Sequence, residues 1–134
     1  METQLAQIGL VALGGAVGGM GRYAVSGFVA RRWGETFPWG TLVVNITGAC
    51  MIGVLAALIL SPGDHAVVRP VLWLGFVIGV LGSYTTVSSF SLQTLTLLRN
   101  GETSRALANI VASVVLCLVA AGLAMAATLA AIGN

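Results

Sequence analysis

Apolar positions in this chain fall in long uncharged stretches, at residues 3–21, 36–63, 70–98 and 106–134, separated by short charged clusters. A helix rises about 1.5 Å per residue, so about 20 apolar residues cross a hydrocarbon core of roughly 30 Å. Three stretches are long enough outright, and the first is too if Arg22 is accommodated near its far end. The pattern therefore predicts four membrane-spanning helices, near residues 5–30, 40–60, 70–98 and 105–131. The intervening segments carry turn chemistry: a basic, aromatic connector over 31–39, then Ser61-Pro62-Gly63-Asp64, then Arg99-Asn100-Gly101. Pro38 is expected near the start of the second span, where a missing N–H does no harm. Four spans occupy nearly all of the 134 residues, giving a single membrane domain over 1–134. METQLAQIGL lacks the basic flank of a cleaved leader, so the first stretch is read as a retained span.

Polar and small positions inside these stretches show where spans meet. Glycines four apart in the first span, Gly14/Gly18 and Gly15/Gly19, allow another helix to approach closely. In the second span Thr41, Asn45, Gly48 and Ile52 share a helical face, beside a small-residue stripe of Asn45, Ala49 and Gly53. In the fourth, Asn109, Ser113 and Cys117 fall on one face. The third reads GFVIGVLGSYTTVSSF from Gly75 to Phe90, an apolar segment interrupted by glycine and hydroxyl side chains. A break is expected there, over residues 82–86, and the span is long enough to contain one. Each unpaired backbone group in hydrocarbon costs roughly 2–7 kcal/mol, so unwound backbone survives only around protein or a water-filled cavity. A break at that depth argues for a binding site or a pathway.

Composition sharpens the class. The chain is 57% hydrophobic and 7% charged, with mean hydropathy +1.00; soluble domains carry about 25% charge. Six arginines and no lysine produce a net charge of +2. Arg31, Arg32, Arg99 and Arg105, with Glu35 and Glu102, fall on one side of the membrane. Arg69, with Glu2 and Asp64, falls on the other, a bias that puts the termini outside. Cys50 and Cys117 lie within spans and are expected as buried thiols without a disulfide. His65 reads as a solvated turn residue. The inventory is too sparse for a hydrolytic metal site, and no phosphate-binding glycine motif is present, so no enzymatic activity is expected.

Several residues suit an anion. The Asn45 amide could donate to one, or make an interhelical hydrogen bond. Arg22 either snorkels to headgroups or makes an electropositive vestibule. Ser83, Thr85, Thr86, Ser88, Ser89 and Ser91 offer hydroxyl donors, while carbonyls freed at a break could hold a cation. Phe90 could present its electropositive ring edge, and Tyr84 its hydroxyl.

The segments GGAVGGMGRY (14–23), WGTLVVNITG (39–48) and GVLGSYTTVSSFS (79–91), in this order and at this spacing, resemble the Fluc (CrcB) family of fluoride channels. The resemblance implies an all-α membrane protein with four transmembrane helices and a broken third helix. It also implies a dual-topology dimer of two antiparallel chains, with pores along the interface. It implies a fluoride pathway through Asn45, Phe90, Thr86, Ser89 and Ser113, with Arg22 at the vestibule. It further implies a structural sodium ion at the dimer centre, held by the backbone carbonyls of Gly82 and Thr85. Where the family usually has TTFSTF this chain has TTVSSF, so Val87 replaces the first aromatic of that line. Gln93 stands where a glutamate is common, and Asn109 where a tyrosine is frequent.

The expectation is a fluoride-selective channel of the cell membrane that lowers cytoplasmic fluoride by passive efflux. Its partners are fluoride and the bilayer, with no nucleic acid. A homodimer is favoured, and a heterodimer of two related chains is the alternative. A small dual-topology multidrug or cation exporter is the second reading, but it needs an intramembrane carboxylate for proton exchange. No such residue is placed in a predicted span. A non-conducting scaffold is the third, and it leaves the clustered hydroxyls without a use.

Overall fold

The structure, a computed structural model, describes residues 2–60 and 73–133. The Ser61-Pro62-Gly63-Asp64 turn, His65, Arg69 and the start of the third span at Pro70 lie outside the described residues. Every described element is helical: α1 (Glu2–Trp33), α2 (Trp39–Leu60), a π-helical segment π1 (Trp73–Leu81), a short α3 (Gly82–Tyr84), α4 (Val87–Arg99) and α5 (Thr103–Ile132). Four stretches are long and apolar enough to cross a membrane: Gln4–Trp33, Trp39–Leu58, Gly75–Arg99 and Thr103–Ile132.

Glycines bring the helices together. A Cβ at Gly14 would collide with the Gly75 carbonyl oxygen, and one at Gly18 with that of Val80. The i→i+5 bonding of π1 widens its coil and stacks residues four to five apart, so Gly75 and Gly79 present one small-residue stripe to α1. Of the two glycine pairs in α1, Gly14/Gly18 makes this contact. A Cβ at Gly15 would meet only the Ser83 hydroxyl, at 3.2 Å, and one at Gly19 would meet nothing within 4 Å. On the other side α2 packs along α5, where Gly53 lies against the Ala121 backbone. Gly40, at the start of α2, abuts Ser26 of α1.

Two connectors end in left-handed glycines, a backbone conformation that side chains disfavour. Gly34 (φ 82°) closes α1 with its N–H on the Ala30 carbonyl at 2.8 Å. Gly101 (φ 78°) closes α4, its N–H reaching Leu98 at 3.0 Å and that of Glu102 reaching Leu97 at 2.9 Å. These are the paired bonds of a Schellman turn, and they fold α4 and α5 into an antiparallel hairpin.

The buried apolar core is small, comprising Val29, Leu42, Val44, Ala57, Leu81, Leu97 and Ala106. Long apolar side chains such as Leu13, Phe28, Leu107, Leu118 and Leu123 are instead exposed. A surface of this kind suits lipid or another protein, and the chain is a multi-pass membrane protein. Cys50 is exposed, not buried as expected; Cys117 is half-buried, and both are free thiols.

Candidate functional site

Between α3 and α4 the backbone leaves the helix for two residues. Gly82, Ser83 and Tyr84 remain α-helical, while Thr85 (φ −76°, ψ 156°) and Thr86 (φ −151°, ψ 123°) are extended. Extended backbone orphans the donors and acceptors that helix would pair, and side chains take over. The Thr86 N–H, which a continuous helix would direct to Gly82, donates instead to Asn45 Oδ1 at 2.8 Å. Asn45 Nδ2 returns a bond to the Thr86 carbonyl at 2.9 Å. One primary amide thus satisfies both backbone groups of Thr86 from across the helix packing. The Ser89 N–H, the helical donor for Thr85, goes to Thr86 Oγ1 at 3.2 Å, making Thr86 the N-cap of α4. Gly82 and Thr85 therefore both lose the helical donors of their carbonyls.

The hydroxyls around this point form a connected set. Thr86 Oγ1 lies 3.1 Å from Ser88 Oγ and 3.2 Å from Ser89 Oγ. Thr86 is buried and Ser89 half-buried. Tyr84 departs from this set, its hydroxyl lying 2.9 Å from Thr47 Oγ1, and it lines neither cavity described below.

Two cavities meet at Thr86. One, of about 770 Å³, is lined by Arg22, Ser26, Thr41, Thr86, Ser89 and Gln93 among others, and opens past Glu35, Glu102 and Arg105. Glu102 and Arg105 are paired at this mouth. The other, of about 450 Å³, is lined by Asn45, Thr86, Val87, Phe90 and Ser113, with Gly82, Thr85 and Cys117. No charged side chain lines it. The second amide hydrogen of Asn45 has no partner among the described residues. The structure thus gathers Asn45, Thr86, Val87, Phe90 and Ser113 in one place, with Arg22 and Ser89 on the adjoining side.

Two residues that the sequence singles out, without giving them a place in the ion path, also stand out. Gln93 Oε1 is buried without a hydrogen-bond partner among the described residues, an acceptor that calls for water or a further donor. Asn109, which is 1% exposed, donates from Nδ2 to Thr94 Oγ1 at 2.8 Å. Thr94 was hidden in the sequence because a lone threonine on a helix most often bonds back to its own preceding turn, as this one also does.

The model of the family described as CrcB-like protein, Camphor Resistance (CrcB), matches residues 9–125. The chain belongs to the CrcB family. Among CrcB relatives, a protein of Bradyrhizobium diazoefficiens named Fluoride-specific ion channel FluC 2 is 57% identical over 110 residues, covering 82% of this chain and 80% of its own length. A Rhodopseudomonas palustris protein of the same name is 57% identical over 117 residues, covering 87% and 88%. One from Opitutus terrae, named Fluoride-specific ion channel FluC, is 56% identical over 110 residues, covering 82% and 83%. The residues matched by the CrcB model include every residue gathered around Thr86.

Proposed function

We propose that this chain is a fluoride-selective channel of the cell membrane, conducting passively down the fluoride gradient. The observation that carries the reading is the convergence of uncharged donors, from Asn45, Thr86, Ser89 and Ser113, on two cavities that share Thr86. Fluoride is small and strongly hydrated, so it leaves water only where fixed donors replace its hydration shell. Hydroxyl and amide groups supply those donors without a negative charge to repel the ion. Arg22, half-buried in the larger cavity, attracts anions toward the narrow part, while Phe90 offers a ring edge beside Asn45. The names of relatives 56–57% identical point to the same ion.

In this proposal two chains insert antiparallel and the third span acts as a broken membrane helix. The extended pair Thr85–Thr86 and the widely exposed apolar surface support that arrangement. A sodium ion at the dimer centre is proposed on the donor set. Gly82 and Thr85 line the smaller cavity, and their carbonyls, deprived of their helical N–H partners, are donors of the kind a hard cation takes. Among the described residues no cluster of His, Cys, Asp or Glu offers a competing metal site. These carbonyls would hold sodium, and its charge would brace the junction.

Reconstitution into vesicles tests the function. Fluoride efflux well above protein-free vesicles, with chloride efflux at background, is the expected result. Fluoride release no faster than the protein-free control ends the proposal.

A further inference from the structure

The α4–α5 hairpin carries its polar contact one helical turn from the proposed ion path. From the Schellman turn at Gly101 the two helices run antiparallel, with Leu97 and Ala106 buried nearest the turn. Thr94 and Asn109 come next, joined at 2.8 Å. Stepping four residues further along each helix reaches Phe90 and Ser113, both on the wall of the smaller cavity. The Thr94 hydroxyl donates its single hydrogen to the Phe90 carbonyl at 2.7 Å, so it can only accept from Asn109. The resulting chain runs one way, from the Asn109 amide to the Thr94 hydroxyl to the Phe90 carbonyl.

We infer that the Asn109–Thr94 hydrogen bond is a positioning device for conduction, setting the register at which Phe90 and Ser113 face the same cavity. Apolar contacts between helices tolerate sliding, because one small aliphatic neighbour resembles the next. A directed bond to a buried amide does not, which is how a single polar residue selects register in packed helices. Asn109 is 1% exposed, so slippage strands a buried donor rather than handing it to water. Thr94 and Asn109 line neither cavity, and they act through Phe90 and Ser113. This inference rests on the fluoride-channel reading.

The test compares Thr94→Val, Thr94→Ser and Asn109→Leu with the unaltered chain in vesicles, reading fluoride efflux, chloride efflux and elution in detergent. Thr94→Ser keeps the hydroxyl and should keep both flux and selectivity. Thr94→Val and Asn109→Leu should elute unchanged, with fluoride flux lowered about tenfold or more and the fluoride-to-chloride ratio reduced. A second measurement stands even where Thr94→Val is not recovered in folded form. In a chain carrying Cys50→Ala, Cys117→Ala, Phe90→Cys and Ser113→Cys, a 90–113 crosslink should form in native membranes with Thr94 in place and be lost on Thr94→Val. Undiminished flux and ratio in Thr94→Val, or equal crosslinking with either residue, overturns the inference while the fluoride reading stands. An unaltered chain that conducts no fluoride overturns the function itself and, with it, the role in conduction given to the Asn109–Thr94 bond.

Discussion

Asn45 spends one amide hydrogen and its carbonyl oxygen on the Thr86 backbone and keeps the other hydrogen free of partners among the described residues. Asn45→Asp removes the donor to the Thr86 carbonyl and sets a carboxylate oxygen against it, with a fixed negative charge on the proposed path. Fluoride efflux from vesicles should fall to the protein-free level, and normal efflux would take Asn45 out of the path. Val87 is 75% exposed on the wall of the smaller cavity, so a larger side chain is not barred by burial, and Val87→Phe should conduct at least as well as the unaltered protein. Phe90 is then the remaining ring edge, and Phe90→Ile should lower flux more than Val87→Ala does; equal losses would count against an aromatic contribution. Asn45, Phe90 and the hydroxyl run were legible as candidates because each interrupts or flanks an apolar stretch. What escaped the sequence was pairing. Nothing in residues 41 apart announces that an asparagine will close a backbone gap, or that Tyr84 will turn to Thr47.

At the scale of elements, the helix ends were readable and the helix type was not. Arg99-Asn100-Gly101 turns where a left-handed glycine places it, a local property that sequence states directly, whereas α1 runs past the expected start of the 31–39 connector, through Arg31 and Arg32 to Trp33, before Gly34 closes it. The π-helical winding of Trp73–Leu81 has no period of its own in the sequence, and the close approach of Gly75 and Gly79 to α1 shows only in the packing. The glycines of α1 separate into two kinds on the same grounds. Gly14→Ala and Gly18→Ala push a methyl group into backbone carbonyls that cannot yield, and each should destabilise by about 1–3 kcal/mol. Gly19→Ala meets open space and replaces a flexible residue in a helix, so it should be neutral or stabilising by roughly 0.5–1 kcal/mol. Thermal unfolding in detergent separates them, and a Gly18→Ala variant as stable as Gly19→Ala would show that the close packing of α1 on π1 is not what the glycines serve.

For the whole molecule the decisive quantity is the balance of positive charge across the membrane. Four arginines at the helix ends on one side against Arg69 on the other is a small bias in a chain with no lysine, and short loops with few charges leave orientation readily changed. If channels assemble from two chains of opposite orientation, locking every copy one way must abolish conduction without touching a pore residue. Ser104→Arg with Arg69→Gln does this by raising the count to five against none. Reporters fused at either terminus should then show a single orientation, and fluoride efflux should be lost. A second copy carrying Arg31→Gln, Arg32→Gln and Arg99→Gln, with Ser61→Arg, His65→Arg, Ala66→Arg and Val68→Arg, reverses the bias to one against five. Alone it too should be silent, and expressed with the first it should restore flux, because only the mixture contains antiparallel pairs. Full conduction by the locked chain on its own would mean that the exposed apolar surface of this protein is covered by lipid or by a parallel neighbour, and that antiparallel assembly is not required.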